Sequence, residues 1–164
     1  MKFNSFLLIF LLVSLAGCVK YSFRGALPSY LETIYIEDFE NNTNYPDVRE
    51  EFMQKVTQAF IQDNSLRIID DAESADLVLR GSIASINKNP VSITQTETVQ
   101  EYQMIVNVRA ECLNLHTDKP LWKTNLSRFG VISGQALRSE IDLAISEAVD
   151  QLVEDVVTQT VAAW

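Results

Sequence analysis

Apolar and polar residues recur along this chain of 164 residues with two different periods. Tyr102, Met104, Val106, Val108, Ala110 and Cys112 fall on one side, against Gln103, Asn107, Arg109 and Glu111 on the other. That two-residue period is the mark of a half-buried strand. Beyond Cys112 the apolar pair is Leu113 and Leu115, so a phase slip and a bulge are expected there. The pattern starts near Thr98 and runs for about eighteen residues against a usual five or six, which predicts a strand that projects past its sheet. Leu31 to Ile36 and Leu66 to Ile69 read as shorter strands, and Ala75 to Ile83 as another, in which Gly81 signals a bulge or a close backbone approach. Asn87 to Pro90 breaks that pattern. After a turn over His116 to Pro120, Leu121 to Leu126 forms a last strand with Trp122, Thr124 and Leu126 on one face.

Two stretches carry the helical period. Past the polar loop from Asp38 to Tyr45, Pro46 can open a helix where its missing N–H costs nothing; Val48, Phe52, Met53, Val56, Ala59 and Phe60 then form a stripe about four turns long. Near the C-terminus, Ser139 offers an N-cap, with Glu140 and Asp142 in the first turn. Ile141, Ala144, Ile145, Ala148, Val149, Leu152, Val156, Thr160 and Val161 continue as one long stripe. The predicted order is β-α-β-β-β-β-α, with the crossover through the first helix making its flanking strands a parallel pair. Two helices on one face of a mixed, mostly antiparallel sheet of four to five strands is the economical packing, an α+β fold.

The N-terminus has neither period. Lys2, the apolar run Phe6 to Val13 and Leu15-Ala16-Gly17-Cys18 have the order of an export signal, and the apolar run falls short of the ~20 residues that span a bilayer. The tetrapeptide looks like a bacterial lipobox, which predicts cleavage before Cys18 and a diacylglyceryl group on its thiol. Several acyl chains on Cys18 would hold the protein to its membrane stably. Residues 1–17 are thus expected to be the lipoprotein signal peptide, 18–28 the lipidated cysteine and tether, and 29–164 one α+β domain.

Charge and cysteine usage narrow the function. Twenty-two acidic residues face thirteen basic ones, a net charge of −9 that argues against a nucleic-acid partner and against charge-driven adhesion to anionic lipid. With Cys18 taken by lipid, Cys112 has no partner and reads as a small buried hydrophobe. His116 is the only histidine and sits in a predicted turn, which leaves no Ser/His/Asp set and no histidine-rich metal site to assemble. Asp70, Asp71, Glu73 and Asp76 lack the spacing of a calcium loop and read as a solvated turn. No catalytic residue, metal or cofactor is expected.

Cys18 with Tyr21-Ser22-Phe23-Arg24-Gly25, then Thr33 to Thr43 (Thr-Ile-Tyr-Ile-Glu-Asp-Phe-Glu-Asn-Asn-Thr), Pro46 before a helix, and Ala75 to Gly81 (Ala-Asp-Leu-Val-Leu-Arg-Gly) together resemble the lipopolysaccharide-assembly lipoprotein family, LptE. The likeness is specific from Cys18 to about Ile83 and architectural thereafter. It implies an outer-membrane lipoprotein that plugs a large β-barrel translocon, LptD, and assists placement of lipopolysaccharide in the outer leaflet. In some members of that family basic loop residues contact lipopolysaccharide; the candidates here are Lys88, Arg109, Lys119, Lys123 and Arg128, which also read as isolated solvent-facing cations on strand edges. Val19 is not an aspartate and no acidic run follows Cys18, which by analogy with lipoprotein sorting favours the periplasmic face of the outer membrane. Two other classes remain in view: a binding lipoprotein that captures a peptide or envelope component without a barrel, requiring a discrete pocket, and a small envelope enzyme, requiring a strongly perturbed acid or base in a cleft.

Overall fold

A computed structural model of the chain describes residues 27–93 and 99–162. The signal segment, Cys18, the tether up to residue 26 and the start of the long strand at Thr98 lie outside the described residues. The elements are β1 (Thr33–Ile36), β2 (Glu40–Asn41), α1 (Val48–Asp63), β3 (Arg67–Ile68), β4 (Leu77–Ile93), β5 (Val99–Asn114), β6 (Lys119–Ser133) and α2 (Arg138–Val161). The α+β class and the pair of helices on one sheet face are as expected.

The sheet has six strands in the order β3-β1-β4-β5-β6, with β2 also against β4. β1 runs parallel to both β3 and β4, so the strands flanking α1 form the expected parallel pair. β4, β5 and β6 form an antiparallel meander. The sheet is therefore mixed rather than mostly antiparallel, with six strands where four to five were expected. The sixth strand, β2, lies in the stretch read as a polar loop. Ile36 and Glu40 are both held on β4, and the intervening residues arch so that Phe39 drops into the core against Phe52, ring centres 5.0 Å apart.

β4 does not stop at Asn87. It runs through Lys88 and Pro90 to Ile93, because beyond Ile83 β5 is its one partner among the described residues and a proline without an N–H is tolerated on the other edge. The bulge expected near Gly81 sits at Ala84, where the register steps from Ile83 to Ser85. Gly81 itself is the close backbone approach, the other expectation for it: a β-carbon there would lie 2.2 Å from the Arg109 carbonyl oxygen and 2.7 Å from the Phe39 ring. The bulge expected after Cys112 does fall between Cys112 and Leu113, but without a phase slip in β5 itself. β5 keeps its alternation through buried Asn114, and the irregularity belongs to the partner strand, where Leu121 is skipped between Pro120 and Trp122.

The core lies between the sheet and the two helices. Phe52, Val56 and Phe60 of α1 and Ala144, Ala148, Val149, Leu152 and Val156 of α2 meet Ile34, Leu77, Leu79, Ile83, Val106, Val108 and Cys112 of the sheet. Burial pushes the Cys112 thiol up to about 12, so it is a packing group rather than a nucleophile. α1 ends where Asn64 turns left-handed, φ 56°, and donates to the Phe60 carbonyl. α2 begins one residue before Ser139; its capping contact is the Glu140 carboxylate accepting from the Leu137 N–H at 2.6 Å. Lys55 joins the two helices, 2.9 Å from Glu51 and 2.5 Å from Asp150.

Trp122 donates its ring N–H to Thr160 Oγ1 at 3.2 Å, tying the start of β6 to the end of α2. At the other end of that seam, a β-carbon on Gly130 would lie 2.2 Å from the Ala144 carbonyl oxygen. Among the described residues no glycine has positive φ, so the demand is for space and not for backbone freedom. Replacing Gly130 by valine should therefore force β6 from α2 and lower stability by about 1–3 kcal/mol. A lower urea midpoint at unchanged slope is the expected result.

Candidate functional site

Helices cover one side of the sheet and leave the other open on the meander. The open side is organised in rows, one residue from each of β4, β5 and β6. Nearest the β5–β6 turn, Arg80, Glu111 and Lys123 stand side by side. The Glu111 carboxylate accepts from Arg80 Nε at 2.6 Å through one oxygen and meets Lys123 Nζ at 2.7 Å through the other. Lys123 and then Arg80 hold the Glu111 carboxyl below its usual range.

The next row is Ser82, Arg109 and Asn125, followed by Ser85, Asn107 and Ser127, then Asn87, Ile105 and Phe129, then Asn89, Gln103 and Val131. Asn107 and Asn87 both donate to Ser85 Oγ, at 3.0 and 3.1 Å. A shallow groove of about 470 Å³ lies at the charged end, where Glu37, Asp38 and Glu40 form one rim and Arg80, Arg109 and Lys123 the other.

The five basic residues singled out from the sequence do not gather into one patch. Arg109 and Lys123 share the open face. Lys88 is opposite buried Met104, on the helix side, with its ammonium 4.0 Å from the centre of the Tyr102 ring. Arg128 is opposite buried Val106 and reaches Asp155 of α2 at 2.8 Å. Lys119 sits at the β5–β6 turn, at the far end of the strand from Lys88. Sequence reading missed Arg80 and Glu111 as partners of Lys123; both show the outward phase of a strand, but only the register sets them in one row.

It also missed the contact of His116. Its Nε2 lies 2.7 Å from Asp76 Oδ1, although forty residues separate them. The other Asp76 oxygen accepts from the N–H groups of Glu32 and Thr33, at 3.0 and 2.9 Å, and from the Thr33 hydroxyl at 2.7 Å. Thr33 Oγ1 in turn accepts from the Asp76 N–H at 2.9 Å. Asp76 is thus a structural knot, not a free acid in a solvated turn. Among the described residues no three His, Cys, Asp or Glu side chains are grouped to hold a metal ion.

This layout, a helix-backed mixed sheet whose long meander keeps one side uncovered, defines a small α+β domain with one open sheet face. The chain belongs to the lipopolysaccharide-assembly family LptE, whose family model matches residues 31–160. That is a family of outer-membrane lipoproteins. No curated protein matches the chain. Among solved structures, rare lipoprotein B of Shewanella oneidensis is 18% identical with a TM-score of 0.54, the match covering 77% of this chain and 92% of that one. Lipoprotein B of Nitrosomonas europaea is 17% identical with a TM-score of 0.53, over 88% and 92% of the two chains. Protein XCC0632 of Xanthomonas campestris shares only 8% identity at a TM-score of 0.61, over 80% and 84%. At these identities the structures show a common fold and no more.

The Asp76 knot makes a pH prediction. Burial raises the pKa of this carboxyl, but the Thr33 hydroxyl, the Glu32 N–H, His116 and the Thr33 N–H outweigh it and bring the value to about 2. A folded value below the unfolded one of ~3.9 gives stability that is present above pH ~4 and lost as pH falls towards 2. Allowing for solvent screening at this partly exposed site, the contribution is about 1 kcal/mol. Urea midpoints of the wild type should fall over that interval, and Asp76→Asn should be less stable at neutral pH with a flatter acid limb. Parallel acid limbs in the two proteins would contradict the assignment.

Proposed function

We propose that this protein is the lipoprotein subunit of an outer-membrane translocon, seated in the lumen of an LptD-like β-barrel and assisting lipopolysaccharide assembly in the outer leaflet. The match to the LptE family across residues 31–160 carries the reading. The domain supports it physically. A compact body with a rigid helix-backed sheet and a polar open face suits the polar interior of a large barrel. Its role is to bind and position a partner, with no catalysis and no cofactor. Lipidation of Cys18 would hold it to the outer membrane at the periplasmic face, consistent with Leu15-Ala16-Gly17-Cys18 and with the short tether that follows. No helix among the described residues is long and apolar enough to cross a membrane, so the lipid would serve as anchor.

Direct contact with lipopolysaccharide would draw on the five basic candidates unequally. Lys123 and Arg128 are already ion-paired and Lys88 lies on an aromatic ring. Arg109, in the groove of the open face, and Lys119, at the turn, have no ion pair among the described residues and are the better placed for lipid phosphates.

The test is recovery of the tagged, lipidated protein from detergent-solubilised outer membranes, with mass spectrometry of what accompanies it. A large β-barrel in stoichiometric amount, retained through high salt, is the expected outcome, and Cys18→Ala should shift the protein out of the membrane fraction. Recovery of the lipoprotein alone would favour a binding lipoprotein that uses the groove between Glu40 and Arg109 without a barrel.

A further inference from the structure

The charges of this acidic chain are distributed unequally over its two sides. On the helix side, Glu50, Glu147 and Glu154 project from α1 and α2 into solvent, and Asp150 is paired with Lys55. On the open side, the four rows from Ser82–Arg109–Asn125 to Asn89–Gln103–Val131 hold twelve residues, of which Arg109 is the one charge. The others are serines, amides and four rows' share of apolar groups, Ile105, Phe129 and Val131, the last two 45% and 51% exposed. Val91, 51% exposed, adds a further apolar group near the same end of the meander.

Desolvating a charge is expensive while desolvating a neutral side chain with a new hydrogen-bond partner is not, so the centre of a protein contact is depleted of charge and enriched in aromatic groups. The four rows of the open face have that composition, whereas the helix face mixes exposed carboxylates with exposed apolar Ile61 and Leu143. From Arg109 to Gln103 the neutral field is about 20 Å long at ~3.4 Å per residue, comparable with the ~25 Å height of a barrel's membrane band. β6, along one side of this field, ends the sheet and has no neighbouring strand among the described residues. Arg128, the one charge of its distal half, is drawn to the helix side by Asp155.

We propose that the open face of β4, β5 and β6 between Arg109 and Gln103 is the surface that seats on the polar inner wall of the barrel, with α1 and α2 turned away from that wall. The assignment rests on the translocon reading above and adds which side of the domain makes the contact. Ion-paired Arg80, Glu111 and Lys123 then border the contact at its charged end, and Phe129 and Val131 fill its other end, beyond which exposed Glu101 stands in the next row.

The experiment uses the full-length lipidated protein expressed in cells that contain its native outer membrane. Two exposed positions of the open face are made acidic together, Asn89→Glu with Ser127→Glu, and two exposed positions of α2 are reversed together, Glu147→Lys with Glu154→Lys. The barrel recovered per lipoprotein should fall about ten-fold or more for the first pair, since two carboxylates would be desolvated without partners, and less than about two-fold for the second. A photo-crosslinking residue at Asn125 should capture the barrel, while one at Gln58 on α1 should not; this readout stands even where an acidic pair folds poorly. Wild-type recovery by the open-face pair, or loss confined to the α2 pair, would overturn the assignment of the face. Absence of any barrel with the wild type would instead overturn the translocon reading itself.

Discussion

The register of β4 is the constraint from which the rest of the structure follows. This strand pairs with β1 and β2 along one edge and with β5 along the other, so it joins the parallel and antiparallel halves of the sheet. Its start is fixed by Asp76, whose carboxylate gathers Glu32, Thr33 and His116 and whose carbonyl accepts from the Leu115 N–H at 2.9 Å. A slip of one residue would exchange the faces of the strand, turning Leu77, Leu79 and Ile83 outward. With the register set, Gly81 falls over Phe39, and the rows of the open face fall into line across three strands.

The parts of this fold that were legible in the sequence are those where one face is buried and the other solvated. β5 announced its face from Tyr102 to Cys112, both helical stripes matched their buried sides, and Cys112 was recognisable as core. The distal half of β4 was not legible, because there neither side is strongly apolar: Lys88 and Pro90 lie on the helix side and Asn87 and Asn89 on the other, so no alternation is written. β2 holds only two residues, too few for a period. The capping of α2 was misread because Ser139 has the better intrinsic preference, while the contact actually made comes from the Glu140 side chain.

The candidate site was less legible than the fold, for a related reason. A list of basic residues carries no information on which side of a strand each one occupies once a bulge intervenes, nor on which acid waits across the sheet. Arg109 and Arg128 are both arginines on neighbouring strands, yet one lies in an open groove and the other is bound to a helix. The row of Arg80, Glu111 and Lys123 and the pair of His116 with Asp76 join residues about thirty or forty positions apart. Such contacts exist only after topology is known.

The one-sided covering of the meander has a consequence for how such a domain can change over evolutionary time. Residues pointing to the helices determine whether the chain folds; those pointing the other way touch little of the core, so substitutions there alter recognition at small cost in stability. Stability and specificity are written on alternate letters of the same three strands. A scaffold of this kind can keep its architecture while its outward letters are rewritten for a different partner, and structures with 8–18% identity to this chain share its fold.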